Sequence, residues 1–272
     1  MNVAEGPNVG PPIVLLHGGS NRWQAWKPIL PVLTERWHVF APDFRGHGGS
    51  SWTPGSYSIR TVTDDIVAFL DREVKRPAAL VGHSLGAQVA LWTAARSPTT
   101  VNAVVAGDAL PGGGSGDSVA RQRDQLDFQL RHAGSGVDVA DLVHLMPELP
   151  FGRDPSGRVI RAKDVLGDRH PAYVDWAETM KALDPSFVEA VIGYVSFSAG
   201  CDTQLLTRIP CPVLILRAED DGITMADVAL ALDLLRDGRM VTLPGVGHGL
   251  HRQAPDAVLA AVVPFLEATE IR

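Results

Sequence analysis

One short run carries the residue types that nucleophilic chemistry needs: Gly82-His83-Ser84-Leu85-Gly86. It follows the apolar stretch Ala78 to Val81 and opens a segment of helical character, Ser84 to Arg96, which Pro98 closes. A serine on a sharp strand-to-helix turn needs small residues two positions before and after it. A side chain at either place would crowd the approaching strand or helix. Gly82 and Gly86 meet that need. The hydroxyl then stands clear of the backbone at a helix N-terminus, where developing negative charge is favoured. Five residues alone are modest evidence, and the setting between a buried strand and a helix gives them weight.

A serine hydroxyl is a weak nucleophile near neutrality. It needs a base within hydrogen-bond reach, and the base needs an orienting carboxylate. Of the nine histidines, His248 is the candidate base. It sits in Leu243-Pro244-Gly245-Val246-Gly247-His248-Gly249, a loop expected between the last strand and the last helix, at the sheet edge of Ser84. His251, three residues on, reads as the start or cap of that helix. The carboxylate should follow a strand lying between Ser84 and His248. Asp221, beyond the strand Pro212 to Leu216, is the first choice. Asp108, beyond the strand Val101 to Ala106, is a true alternative, and Glu219 and Asp220 stand close to Asp221. Loop solubility or helix capping is the ordinary explanation for any of these acids. Stabilising an oxyanion also takes amide donors. The N–H groups of Gly19, in His17-Gly18-Gly19, and of Leu85 are the candidates, while His17 itself reads as structural.

These groups must be positioned by strands and helices in alternation. Pro12 to Leu16, Trp37 to Ala41, Ala78 to Val81 and Val101 to Ala106 read as strands. Pro212 to Leu216 and Met240 to Leu243 continue the series. Helical spacing of apolar residues appears at Trp23, Trp26, Leu30 and Leu33, over Thr61 to Val74, over Met225 to Leu235 and over Ala254 to Leu266. The pattern implies a mainly parallel, doubly wound sheet covered on both faces. Pro111 to Asp117 is a Gly-rich connector. Beyond it the rhythm changes to helical patches at Gln125 to Arg131, Val139 to Leu145 and Tyr173 to Leu183, interrupted by Pro147, Pro150, Pro155 and Pro171. The expected organisation is a core of residues 1–114 and 205–272 with a helical insertion, 115–204, at the carboxyl ends of the strands. Ligands bind at that edge of open α/β sheets, so the insertion is placed to act as a lid. Trp176 is its candidate substrate contact, since an amphipathic ring suits a pocket wall.

Composition narrows the classes. With 272 residues, 45% hydrophobic and 20% charged, the chain can bury a large core without disulfide staples. A net charge of -7 with no basic stripe speaks against nucleic acid. Cys201 and Cys211 are expected to be free buried thiols. Neither a signal peptide nor a membrane span is legible, so a cytoplasmic protein with no membrane partner is the expectation. A homodimer stays open.

Taken together, these residues resemble the α/β-hydrolase superfamily over about residues 12–110 and 205–268. His17-Gly18-Gly19, Asp43-Phe44-Arg45-Gly46-His47-Gly48, Gly82-His83-Ser84-Leu85-Gly86, Ala218 to Asp221 and Gly247-His248 occur in the family's order. The resemblance implies that fold with a serine nucleophile and no metal or organic cofactor. It favours Asp221 as the acid, because Ile223 follows where the family has an apolar residue. It implies action on a small to medium ester or lactone. The alternatives are hydrolysis of a C–C bond in a ring-fission-type diketone by the same three residues, or a non-catalytic small-ligand receptor. Ser84 argues against dehalogenase or epoxide hydrolase chemistry, which uses aspartate at that place. It implies a wall-shaping role for Asp43 and Arg45. Three departures stand out: few residues precede the first strand where the family has a hairpin, Ala87 replaces a frequent glycine, and the insertion matches no subfamily.

Overall fold

Strands fed by apolar runs account for most of the sheet. In this computed structural model, residues 1–112, 122–134, 136–153, 156–193, 197–219 and 223–270 are described. Strand β1 is Val3–Glu5, β2 Pro12–Leu16, β3 His38–Pro42, β4 Ala78–His83 and β5 Val101–Gly107. After the insertion, which contributes a separate pair, β6 Pro150–Arg153 and β7 Val159–Arg161, come β8 Val213–Ala218 and β9 Gly238–Leu243. The described strands form a seven-stranded sheet in the order β1-β3-β2-β4-β5-β8-β9. Only β1 runs antiparallel, against β3.

Register decides where the chemistry goes. Leu16 pairs with Gly82, His83 with Gly107, Gly107 with Leu216, and Ala218 with Leu243. The loops that leave β2, β4, β5, β8 and β9 therefore emerge along one edge. Both faces are buried, as a parallel sheet requires. Val14, Leu16, Leu80, Val104 and Ala106 join one core layer, and Ile13, Leu15, Val81, Val105 and Leu214 join the other. The first layer is covered by α2, Ile59–Phe69, and α3, Leu85–Arg96; the second by the C-terminal helix, Pro255–Glu270, through Val262 and Phe265.

Local chemistry explains the departures from expectation. Trp23 to Leu33 is not one helix but a 3-10 turn, Trp23–Trp26, followed by the short α1, Leu30–Leu33. Pro28 and Pro31 each remove a backbone donor and restrict the preceding residue. The expected helix to Val74 is regular only to Phe69 and then widens into a π turn, Leu70–Val74, ended by left-handed Lys75. In the insertion, α4 is Arg123–His132, α5 Val139–Leu145, α6 Ala162–Leu166, α7 Ala172–Lys181 and α8 Pro185–Ile192. Helix α8 was not anticipated, although Asp184 accepts from the Ser186 N–H and Pro185 takes the first helical position, a readable start signal. The β6–β7 pair lacks a buried face and so left no alternation in the sequence. Helix α9, Met225–Leu234, and the short α10, Leu250–Gln253, complete the chain before the C-terminal helix, α11. Cys201 and Cys211 are free and buried, and burial pushes their thiols up to about 12 and about 11. Among the described residues no helix is long and apolar enough to cross a membrane.

Candidate active site

Ser84 lies between β4 and α3 with φ 53° and ψ −120°, a left-handed conformation that a side chain rarely adopts. Such strain costs on the order of 1–3 kcal/mol and persists only where its surroundings impose it. Here they do so by backbone contact. A Cβ on Gly82 would lie 2.2 Å from the Gly86 carbonyl oxygen, and one on Gly86 would lie 1.9 Å from that of Leu16. The Ser84 N–H donates to the Gly107 carbonyl at 2.8 Å, pinning the turn to the end of β5. Ser84 itself stays half-buried.

The candidate oxyanion donors flank it. Leu85 is the first residue of α3, so its N–H has no intrahelical acceptor. Gly18 backs onto the serine, since a Cβ there would sit 3.3 Å from Ser84 Cβ. A Cβ on Gly19 would be 4.0 Å from the Leu85 side chain and 3.8 Å from the Phe187 ring. Asn21 steadies the loop by donating to the Gly19 carbonyl at 3.3 Å, and Arg252, beyond the His248 loop, donates to Asn21 at 2.9 Å.

His248 is half-buried, and its Nδ1 lies 2.7 Å from Asp108 Oδ2. Asp108 follows β5, has φ 54°, and its side chain is fully buried. Its other carboxylate oxygen accepts the Ala218 N–H at 3.0 Å, while its own N–H donates to the Leu216 carbonyl at 2.8 Å. The carboxylate is thereby fixed between β5 and β8 and aimed at the imidazole. The Nδ1 expected to face Asp221, the first choice for the acid, is bonded instead to Asp108, the alternative. Asp221 and Asp220 lie outside the described residues. Glu219 is engaged elsewhere, accepting the Gly245 N–H at 3.0 Å. The positive φ of Asp108, which lets a side chain turn back over the strand end, had no signal in the sequence.

The other histidines near this edge are held neutral. His17 accepts the Phe44 N–H at Nε2, 3.0 Å, and donates from Nδ1 to the Gly18 carbonyl, 2.8 Å. Burial lowers it to about 4, so it is a loop brace and not a base. His47 accepts the Ser20 N–H and is lowered to about 3 by burial and by His17 beside it. His251 is buried with its ring 4.4 Å from that of Trp26, and burial lowers it to about 3. Asp43 and Arg45 are spent on structure. Asp43 accepts from the N–H groups of Trp23 and Gly49, and Arg45 makes a two-pronged pair with Asp65 at 2.6 Å.

Polar and aromatic contacts bring the inserted segment to these loops. Arg22 pairs with Asp175 at 2.8 Å and with Glu178, and donates to Thr179 at 3.1 Å, all on α7. Ser20 donates to buried Gln129 of α4 at 2.9 Å. Phe187 of α8 packs on His47 with ring centres 4.2 Å apart. Trp176 instead joins Phe151 and Tyr173, at 5.4 and 5.6 Å, in an aromatic cluster within the insertion. Among the described residues no three His, Cys, Asp or Glu side chains gather as metal ligands do.

Comparison with known proteins identifies the family. The sequence pattern of the alpha/beta hydrolase family matches residues 13–261. The chain is similar to a 2-(acetamidomethylene)succinate hydrolase of Mesorhizobium japonicum, 27% identical over 98% of this chain and 92% of that one. It is also similar to a bifunctional esterase/perhydrolase of Acinetobacter calcoaceticus, 27% identical over 97% of this chain and 94% of the other. Among solved structures, the enol-lactonase of Burkholderia xenovorans superposes with a TM-score of 0.72 at 20% identity, covering 98% of this chain and 96% of its own. With the parallel sheet and the strained serine turn, the match over most of its length makes this chain a member of the alpha/beta hydrolase family, and an enzyme of that class.

Proposed function

We propose that the chain is a serine hydrolase that cleaves a small to medium ester or lactone through an acyl-enzyme on Ser84. The observation that carries this reading is the 2.7 Å bond from His248 Nδ1 to buried Asp108. It fixes the tautomer in which Nε2 carries a lone pair and serves as base. Ser84 Oγ attacks the carbonyl carbon while its proton passes to His248 Nε2, and Asp108 stabilises the imidazolium. The N–H groups of Gly19 and Leu85 receive the developing oxyanion, a contribution worth about 3–4 kcal/mol per donor in comparable sites. Collapse expels the alcohol, or opens the lactone, with the proton returned by His248. Water, activated by the same imidazole, then releases the acid.

The named relatives support ester and lactone chemistry, since they include an esterase and an enol-lactonase. C–C hydrolysis would call for an arginine and a tryptophan facing the serine. The tryptophan of the insertion, Trp176, is occupied by Phe151 and Tyr173, which favours the ester or lactone reading. The segment 115–204 acts in this scheme as the lid, bearing Phe187 against Gly19 and bounding the acyl side.

The test is the intact mass after exposure to a fluorophosphonate. One adduct on the wild type and none on Ser84→Ala is expected, followed by turnover on a panel of esters and lactones. Folded wild-type protein that takes no adduct would overturn the assignment and bring the receptor reading forward.

A further inference from the structure

His83 has no part in the steps above, yet its surroundings are unusual. It is buried, directly precedes Ser84, and its Nε2–H donates to the backbone carbonyl of His248 at 2.6 Å. That bond leaves Nδ1 as the lone-pair nitrogen, and among the described residues Nδ1 finds no hydrogen-bond partner. It abuts Gly18 instead, where an added Cβ would lie 3.0 Å from it. The ring is therefore wedged between the loop of the base and the loop of the candidate oxyanion donor. The rings of His248 and His251 each lie 4.8 Å away.

An apolar side chain of similar size would fill this volume without stranding a buried nitrogen. What the imidazole adds is one N–H aimed at the His248 carbonyl. Gly245, Gly247 and Gly249 leave the loop bearing His248 conformationally free. Its ring is tied to Asp108 at 2.7 Å, its carbonyl also accepts the Leu250 N–H at 3.0 Å, and its neighbours reach Gln253, at 2.8 Å from Gly247, and Glu219, at 3.0 Å from Gly245. None of these ties comes from β4. The bond from His83 joins the base loop directly to the strand that carries Ser84.

We propose that His83 is a positioning residue, whose Nε2–H, by holding the His248 carbonyl, sets the placement of the His248 imidazole relative to Ser84. The proposal rests on Ser84 and His248 being nucleophile and base. The groups facing His83 are His248, His251 and Arg252, and burial together with these cationic or potentially cationic neighbours keeps it neutral. Its hydrogen bond thus does not titrate with the catalytic base.

Three substitutions separate this role from simple packing. In His83→Gln the amide nitrogen reaches the place of Nε2, in His83→Asn only that of Nδ1, and His83→Leu offers no donor. Fluorophosphonate labelling rates and p-nitrophenyl acetate kinetics are measured from pH 5 to 9. Leu and Asn are expected to lower kcat and the labelling rate about 10- to 100-fold, as small misplacements of catalytic groups do. KM should change little, the pH midpoint should move, and Gln should recover most of the loss. Equal behaviour of all three variants, whether impaired or unimpaired, would overturn the proposal. A second measurement is independent of turnover: the His248 Nδ1–H proton resonance in histidine-labelled protein, expected to shift in Leu and Asn but not in Gln. If the wild type is inert to both probes, the hydrolase reading fails, and this resonance decides the positioning role alone. Should His83→Leu fail to fold by circular dichroism, the Gln and Asn pair carries the comparison.

Discussion

Ser84 at 53° and Asp108 at 54° both carry positive φ at this sheet edge where no glycine stands, and in each the turn redirects a side chain at a strand end. They are joined through His248, which bonds Asp108 and shares its loop contact with the residue before Ser84. Deleting the charge of the acid leaves the geometry but frees the wrong tautomer of the base. Asp108→Asn should therefore lower kcat by about 10⁴, the scale seen when a triad aspartate is neutralised. Asp221→Asn should stay close to wild type. Ester turnover of the two variants side by side checks this, and the reverse ranking would return the acid to the loop after β8.

At the scale of elements, β4, α3 and the end of β2 meet backbone to backbone. Gly86→Ala would drive a Cβ to 1.9 Å from the Leu16 carbonyl, and a backbone atom cannot give way as a side chain does. A loss of at least about 3 kcal/mol in urea unfolding is expected, beyond ordinary overpacking. The clasp between Arg22 and α7 is softer. Its acidic partners, Asp175 and Glu178, are well solvated, so each pair contributes at most about 1 kcal/mol and is weakened by salt. Arg22→Met should speed amide exchange in Ala172–Lys181 about fivefold with global stability nearly unchanged. An unchanged exchange rate there would show that apolar packing alone seats the helix.

Over the whole molecule, the buried histidines make stability depend on pH. His17 titrates at about 4, and His47 and His251 at about 3, against 6.5 when exposed. Above 6.5 both states are neutral at these sites. As pH falls below 6.5 the unfolded chain binds protons first, so each site costs about 1.4 kcal/mol per pH unit until its folded value is reached. The urea midpoint should therefore be flat from pH 7 to 8 as far as these groups act, and should drop steeply between 6.5 and 5, before most carboxylates titrate. A flat midpoint across that window would mean that the three rings are accessible to protons in the folded state.

Much of this was legible in the residues. The glycines around Ser84, the Gly-flanked His248 and the apolar runs of β2, β4, β5 and β8 are local signals, because turns and buried strands constrain residues that are neighbours in the chain. The short helices of the insertion were less so, since few of their residues are buried on one continuous face. The acid was beyond reach. Asp108 and Asp221 both follow parallel strands and both loops leave the same edge, so spacing permits either. Only the side-by-side order β4-β5-β8-β9, with the turn that folds Asp108 back between Leu216 and Ala218, selects which carboxylate meets the imidazole. The same holds for the grip of His83 on His248, 165 residues away in sequence, which exists only because the sheet brings two strand ends together.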